Sequence, residues 1–294
     1  MTPRERPAGG KPFGGKPFQG RPQRDGEFRG PRPDRGADRH GDRNDEQTPR
    51  GTIWLYGQHA VAAALKNPAR RLRRLVMTEE AEATMAERQP KPWSMPPERM
   101  DRAGLDRLLG RDAVHQGVAL LADPLAPPQL ATTLERPGPI LVLDQVTDPR
   151  NIGAILRCAA AFGVAGVITQ DRNAPEETGG MAKAAAGALE IVPLIRAVNI
   201  SRTLIALKAA GFWVVGLDAS GPALSGPAMA DRRVALVLGA EGEGMRRLTK
   251  ETCDVVAGLA MPGIAPGTVG GSVVDSLNVA AAAAVALYEL GRRG

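Results

Sequence analysis

The chain has 294 residues, a formal net charge of +6 and a pI near 9.7, a length that suits two domains and a charge that favours a polyanionic partner. It contains no run of about 18 apolar residues, so we expect no membrane-spanning helix, and its basic start lacks the apolar core of a secretory signal. Cys158, Cys253 and the three histidines have no metal-ligand spacing. We therefore expect free thiols in a reducing cytoplasm and no metal site.

Residues 1–50 are rich in charge, glycine and proline. They hold 12 Lys and Arg against 8 Asp and Glu, together with nine Gly and eight Pro. Their large apolar residues are Met1, Phe13, Phe18 and Phe28, too few to offset the entropy of ordering, so we predict a disordered basic tail. Arg and Gly with spaced Phe are typical of segments that contact RNA by charge and stacking. A solubilising tail without a specific role is the alternative.

Residues 51–123 are predicted to form a small α/β domain. Helical apolar spacing covers Gly57–Leu65 and Glu98–Leu109, and the pattern predicts strands at Leu72–Met77 and Val114–Leu121. A charge run is usually a solvated face. Because the rest of this domain offers no chemistry, we predict an RNA-phosphate contact for its basic cluster. The cluster consists of Arg70, Arg71, Arg73 and Arg74.

Residues 124–138 are predicted to be a linker, because Asp123–Pro139 contains five prolines. In residues 139–294 apolar strands alternate with helices, which predicts an α/β fold with a mostly parallel sheet covered on both faces. The predicted strands are Ile140–Asp144, Ala165–Thr169, Ile191–Leu194, Phe212–Leu217, Val234–Leu238 and Val255–Leu259. The predicted helices run from Asp148 to about Phe162, Met181 to Leu189, Ser201 to Ala210 and Ser276 to Leu290.

Helix-start signals accompany two of these helices. Asp148 and Pro149 suit the N-cap and the first helical position, and Ser276 suits the N-cap of the last helix. Asn151 then lies in a first turn, where free backbone N–H groups attract anions. Arg157 follows in an apolar stretch, where an unpaired charge is costly to bury. It is either in a structural ion pair with a carboxylate or holds a phosphate or substrate.

A glycine-rich bend follows the predicted strand Val234–Leu238, with glycines at positions 239, 242 and 244. Glycines permit close backbone approaches, and α/β proteins bind ligands at such bends after a strand. A tight turn without a ligand explains the same glycines equally well. Near the end of the chain, Asn278 lies in the first turn of a helix that is apolar on all sides, so we expect a buried amide that contacts the substrate or the backbone.

Together, these segments resemble the SpoU (TrmH-type) 2′-O-ribose RNA methyltransferases of the SPOUT superfamily. The resemblance covers about residues 53–292 and is greatest to the bacterial branch that methylates a guanosine ribose in 23S rRNA. The small domain is similar to the family's ribosomal-protein-like RNA-binding module, through Tyr56–Val61 and Val114–Leu120. The first methyltransferase motif is D-P-x-N-x-G-A-I-x-R at Asp148–Arg157, and the second is L-V-x-G-x-E-G-x-G at Leu236–Gly244. The third motif of the family, I-P-M-x-G followed by S-L-N-V, corresponds to two segments, Leu259–Gly263 and Ser276–Val279.

The resemblance implies a sheet whose carboxyl-terminal part is threaded into a deep trefoil knot, a rare exception among folds. It also implies S-adenosyl-L-methionine as methyl donor, RNA as substrate and a homodimer whose two subunits build the site. The positions that correspond to the family's cofactor contacts are Gly239, Leu259, Met261 and Leu277. Those around the reacting ribose are Asn151, Arg157, Glu241, Ser276 and Asn278.

Arg157 matches the position that the family favours for activating the ribose hydroxyl. A guanidinium is a poor base, so we prefer the hypothesis that Arg157 pairs with a substrate phosphate and stabilises the developing alkoxide. Three departures from the family accompany the match. Ala260 replaces the usual proline, about nine residues within Ile264–Ser272 are inserted before Ser276, and Ala280 stands where the family often has Ser.

Other functions are compatible with parts of this pattern. A tRNA ribose methyltransferase would use the same motifs, and the additional N-terminal domain favours rRNA only by analogy. A non-catalytic RNA-binding protein of ribosome assembly would not need the intact polar motif residues. A nucleotide-binding Rossmann enzyme would need G-x-G-x-x-G after the first strand, and the stretch after Ile140–Asp144 has no such glycines.

Overall fold

The computed structural model describes residues 48–172, 174–261 and 276–292. Most of the predicted tail, residues 1–47, lies outside the described residues, and so does the predicted insertion Ile264–Ser272. Within the described ranges, no helix is long and apolar enough to cross a membrane.

The small domain is a four-stranded sheet with three helices. Its strand order is β1-β4-β2-β3, with β4 antiparallel to β1 and β2, and with β3 parallel to β2. The strands are β1 (Ile53–Tyr56), β2 (Leu72–Met77), β3 (Pro97–Arg99) and β4 (Val118–Ala122). The helices are α1 (Gln58–Lys66), α2 (Glu79–Arg88) and α3 (Arg102–Leu109).

Two boundaries in this domain differ from the prediction. The strand predicted from Val114 begins only at Val118, because Gln116 and Gly117 have positive φ angles that interrupt an extended chain. The helical pattern that starts at Glu98 contains β3 first, and α3 begins after Asp101, whose side chain accepts from Gly104 N at 2.8 Å.

The large domain is an α/β unit with a six-stranded parallel sheet, which confirms the predicted class. Helix α4 (Leu130–Leu134) lies inside the predicted linker. The strands are β5 (Ile140–Leu143), β6 (Gly166–Gln170), β7 (Leu194–Ala197), β8 (Phe212–Leu217), β9 (Arg233–Leu238) and β10 (Val255–Ala257). The helices are α5 (Pro149–Ala161), α6 (Gly179–Ala185), α7 (Ile200–Ala209), α8 (Arg247–Thr252) and α9 (Val279–Gly291).

One predicted strand is displaced along the chain. Ile191–Leu194 was expected to be extended, but a 3-10 turn over Ala188–Glu190 continues into it, and Val192 N donates to Ala188 O at 2.9 Å. The strand therefore starts only at Leu194, after Pro193, where it pairs with Val167 of β6.

The order of the strands reverses at the centre of the sheet. The order is β10-β8-β9-β5-β6-β7, and all neighbours are parallel. Strands β6 and β7 lie on one side of β5, in chain order. Strands β8, β9 and β10 lie on its other side, so the strand order reverses between β5 and β9. Open parallel sheets bind ligands beyond the carboxyl ends of the strands at such a reversal. The trefoil knot stays a prediction, because residues 262–275 between β10 and α9 are not among those described.

Arg70 joins the small domain to the large one through buried ion pairs. Its guanidinium donates to Glu177 Oε1 and to Glu190 Oε1, both at 2.6 Å, and its side chain has no exposed surface. Asn67 Nδ2 also donates to Glu190, at 2.7 Å. Burial raises the pKa of Glu177, and the charge of Arg70 opposes that effect. The prediction that Arg70 contacts RNA is therefore wrong, because the side chain is enclosed between the domains.

The backbones of the two domains also meet closely beside this junction. Gly179, the first residue of α6, lies against β1, and a Cβ at this position would be 2.3 Å from the carbonyl oxygen of Trp54 and 2.4 Å from the ring of Tyr56. Even an alanine side chain would separate the two elements. Hence α6 of the large domain packs directly against β1 of the small domain.

We expect Arg70→Met to lower the free energy of unfolding by about 3–5 kcal/mol, because it leaves two buried carboxylates without their cation. The matched control is Arg73→Met. Arg73 is 41% exposed and pairs with Asp123 at the surface, where ion pairs contribute little, so the control should have a much smaller effect. Urea unfolding measures both. Equal losses would contradict the structural role of Arg70.

Candidate active site

The glycine-rich bend after β9 is a tight backbone loop. Ala240 N donates to Gly244 O at 3.1 Å, and Gly244 N donates back to Ala240 O at 2.9 Å. A Cβ on Gly239 would lie 2.0 Å from the carbonyl carbon of Gly244, so no side chain fits there. Gly242 and Gly244 have φ angles of 82° and 68°, which glycine adopts readily. The geometry thus requires these glycines and presents Glu241 at the tip.

The start of α5 has the predicted cap. Asp148 accepts a hydrogen bond from Arg150 N at 2.8 Å, and Pro149 occupies the first helical position. The cap orients the first turn towards the carboxyl edge of the sheet, next to the end of β5. Asn151 therefore faces the bend that follows the neighbouring strand β9.

Asn278, rather than Ser276, caps α9. Its Oδ1 accepts from Ala280 N at 3.0 Å and from Ala281 N at 3.4 Å, and it is exposed rather than buried. The predicted cap at Ser276 is wrong, because the helix begins only at Val279. With Oδ1 turned towards the helix, the amide nitrogen of Asn278 points away from it and is free to donate to other segments.

The three motifs meet at one carboxylate oxygen. Glu241 Oε1 accepts from Asn151 Nδ2 at 3.1 Å, from Asn278 Nδ2 at 2.6 Å and from Val279 N at 3.1 Å. Asn278 Nδ2 also donates to Asn151 Oδ1, at 3.0 Å. The side chains of Asn151, Glu241 and Asn278, which we call the polar triad, therefore fix α5, the bend and α9 relative to one another.

Arg157 lies two turns into α5 and is exposed. Among the described residues, no carboxylate lies within ion-pair distance of it, so the structural ion pair considered from the sequence is not found in that part of the chain. Its charge lowers the pKa of the neighbouring Cys158 thiol, but burial has the larger effect and raises that pKa. An exposed guanidinium without such a partner can bind an anionic group.

The remaining predicted residues follow the ends of β9 and β10. Gly239, Leu259 and Met261 are partly buried, and Leu259 packs against the main hydrophobic core. Leu277 is 37% exposed. Ser276 is exposed and has contacts of its own. The structure therefore brings these residues to the same edge of the sheet as the polar triad.

Asp218 is a charged residue at this edge that sequence reasoning missed. It follows β8 and accepts from Lys250 Nζ at 2.9 Å and from Ser220 Oγ at 2.5 Å. Burial raises its pKa, but these hydrogen bonds outweigh burial and lower the pKa to about 2. Its position directly after the apolar run of β8 is the signal that could have identified it.

The other three arginines of the predicted RNA contact lie at the surface of the small domain. Arg71, Arg73 and Arg74 have side-chain exposures of 73%, 41% and 39%, and they pair with Asp123 or Glu98. Hydrogen bonding to Arg73 holds the pKa of Asp123 below its usual range. These guanidinium groups are exposed, and their contact with phosphate stays a prediction.

Comparison with known proteins decides the family. The model of the SpoU rRNA Methylase family matches residues 138–288. The chain belongs to this family. A second model, described as RNA 2′-O ribose methyltransferase substrate binding, matches residues 54–128. The two matches correspond to the large and the small domain.

Named relatives of this SpoU methylase align with it over nearly their whole length. The 23S rRNA (guanosine-2′-O-)-methyltransferase RlmB of Ralstonia nicotianae is 39% identical in an alignment of 256 positions that covers 81% of this chain and 95% of the relative. The protein of the same name from Pseudomonas aeruginosa is 36% identical in an alignment of 259 positions that covers 81% of this chain and 96% of the relative. Both alignments include the small domain as well as the large one.

A solved structure shows the same fold. The SpoU methyltransferase AviRb from Streptomyces viridochromogenes, in complex with the cofactor AdoMet, aligns with a TM-score of 0.64 and 22% identity, over 82% of this chain and 89% of AviRb. At this identity the similarity supports the two-domain architecture of the SpoU methylase. It does not transfer individual contacts.

We expect Asn278→Ala to cost more stability than a lost helix cap. The matched control is Asn199→Ala, because Asn199 caps α7 through Arg202 N at 3.0 Å and should lose about 1 kcal/mol. Asn278→Ala loses its cap and also its donors to Glu241 and Asn151, which adds on the order of 1 kcal/mol. Urea unfolding measures both variants. The role of Asn278 in linking segments is contradicted if the two losses are equal.

Proposed function

We propose that this protein transfers a methyl group from S-adenosyl-L-methionine to the 2′-oxygen of a guanosine ribose in 23S rRNA. The observation that carries the proposal is the polar triad. Residues from three distant motifs of the SpoU family meet through Glu241 Oε1 at the reversal point of a parallel sheet. The names of the full-length relatives support 23S rRNA as the substrate.

Residues at the carboxyl edge of the sheet suit binding of the methyl donor. Leu259 and Met261 present partly buried apolar surface that suits an adenine ring, and backbone groups at Gly239, directly after β9, would bind the polar edge of that ring. Leu277 adds exposed apolar surface. When bound, S-adenosyl-L-methionine supplies a methyl group on a sulfonium, which is an activated donor. The protein therefore has to align the acceptor oxygen and stabilise its charge.

We assign Arg157 a role at the ribose that accepts the methyl group. Its exposed guanidinium lies two turns into α5, the helix whose first turn carries Asn151. In this position it pairs with a substrate phosphate and stabilises negative charge as the 2′-oxygen loses its proton. Asn151, Glu241, Ser276 and Asn278 form the polar surroundings that position the ribose.

In this proposal the two domains have different roles. Residues 51–123 bind RNA through Arg71, Arg73 and Arg74, and residues 139–294 bind the methyl donor and the reacting ribose. Residues 124–138 connect them, and the basic residues 1–50 assist RNA binding by charge. The division is supported by the two family matches, which separate near the connecting segment.

A homodimer completes the proposed enzyme, which acts in the cytoplasm. Val285 and Tyr288 are 45% and 61% exposed on one face of α9, and Phe162 at the end of α5 is 40% exposed. Leu277, which precedes the helix, is 37% exposed. A second copy of the chain that covers this apolar face would bury it and bring a second set of motif residues close to the first.

The first experiment measures transfer of a labelled methyl group to deproteinised large-subunit rRNA and, separately, to bulk tRNA. Both RNAs come from cells that lack this protein, and product nucleosides are resolved by mass. We expect 2′-O-methylguanosine in the rRNA alone. A signal in tRNA alone would keep the chemistry and overturn the substrate. Donor binding without transfer to either RNA would indicate a protein-bound assembly intermediate, and no donor binding would favour the non-catalytic RNA-binding function.

We expect Arg157→Lys to lower the single-turnover rate by about 100-fold, because a lysine keeps the charge but not the planar pair of donors. Binding of S-adenosyl-L-methionine, measured by calorimetry, should be retained. Arg202→Lys, an exposed substitution on α7, is the control and should leave the rate unchanged. Full activity of Arg157→Lys would rule out the assigned role.

A further inference from the structure

Asp144 is the carboxylate at the end of β5, and its side chain is fully buried at the sheet reversal. Its Oδ1 accepts from Arg246 Nε at 2.8 Å and from Arg246 Nη2, and its Oδ2 accepts from the backbone Arg246 N at 2.9 Å. All three donors belong to Arg246, so a single residue supplies the hydrogen bonds and the opposite charge for the buried carboxylate of Asp144. Such a charge would be strongly unfavourable without these partners.

Asp144 contacts the chain on both sides of the glycine-rich bend. Its backbone N donates to Leu238 O at 2.8 Å, immediately before Gly239. Its carboxylate holds Arg246, immediately after Met245, whose side chain is buried in the core below. The seven residues between Leu238 and Arg246 are thus closed into a loop whose two ends are fixed by one residue of a neighbouring strand.

The bend held in this way carries Glu241 and begins with Gly239. Glu241 Oε1 lies 3.1 Å from Asn151 Nδ2 and 2.6 Å from Asn278 Nδ2, and hydrogen bonds weaken steeply when their geometry is lost. Glu241 itself is exposed, so packing around its side chain does little to fix it. Other contacts therefore set the position of the bend backbone. Gln145 Nε2 donates to Glu243 at 3.2 Å at the surface, and the buried carboxylate of Asp144 holds the end of the bend through Arg246.

We propose that Asp144 and Arg246 are positioning residues for the methyl-transfer site, acting through the bend on Glu241 and Gly239. The inference rests on the proposed function for its activity readout, but donor binding tests it separately. Half of the Arg246 side chain remains exposed, which leaves direct contact with RNA as the competing role. The experiment must therefore separate an effect on the bend from an effect on RNA affinity.

The test compares Arg246→Lys with the control Arg247→Lys. Lysine keeps the charge and the backbone N–H but loses the Nε and Nη2 donors that bind Asp144. Arg247 is adjacent, 87% exposed, and pairs with Glu251 on its own helix. We expect Arg246→Lys to raise the Kd for S-adenosyl-L-methionine at least about fivefold and to lower the single-turnover rate at least about tenfold. The Kd for rRNA should stay within about twofold, and Arg247→Lys should match the native protein throughout.

A double-mutant cycle with Glu241→Gln examines whether the pair acts through Glu241. We expect Glu241→Gln to reduce the rate much less in the Arg246→Lys background than in the native protein. Additive losses would overturn the proposal, and so would a raised Kd for rRNA with unchanged donor binding. If native protein and Arg247→Lys bind donor but transfer no methyl group, the proposed function fails, while the Kd for the donor still decides the role of the pair. Asp144→Asn, if it folds, should reproduce the Arg246→Lys pattern.

Discussion

The structure of the site depends on one carboxylate oxygen. Glu241 Oε1 accepts N–H groups from Asn151, Asn278 and Val279, which belong to segments 90 and 37 residues away from it. Hydrogen bonds to a charged acceptor are stronger than neutral ones. The amide of Asn278 contributes in two directions, because its oxygen caps α9 while its nitrogen reaches Glu241. A change at any member of the polar triad is therefore transmitted to the other two segments.

The sheet order explains why these segments meet. The strands β5 and β9 are adjacent although about ninety residues separate them in the chain, and both end at the same edge. The first turn of α5 follows β5, and the glycine-rich bend follows β9, so the reversal of strand order brings them together. Asp144 links the two strand ends directly. The pairing of β5 with β9 thus brings the motifs together and also fixes the backbone at the start of the bend.

The arginine run in the small domain shows how one sequence feature can serve two purposes. Arg70 is enclosed between Glu177 and Glu190, whereas Arg71, Arg73 and Arg74 are at the surface. The buried member fixes the small domain against the large one, and its neighbours face solvent. The position of the small domain relative to the large one consequently depends on this buried junction.

The sequence alone determined the features that depend on local chemistry. Apolar runs predicted β8 with the observed bounds, and Asp148 with Pro149 predicted the start of α5, because such signals act within a few residues. The sequence missed α2 and α8, whose charged surfaces hide a short apolar periodicity, and it assigned the α9 cap to Ser276 instead of Asn278. Tertiary structure alone decided the burial of Arg70, the exposure of Arg157 and the partners of Asp144 and Glu241. Each of these depends on groups far away in the chain, and only the packing of the folded sheet brings them within hydrogen-bonding distance.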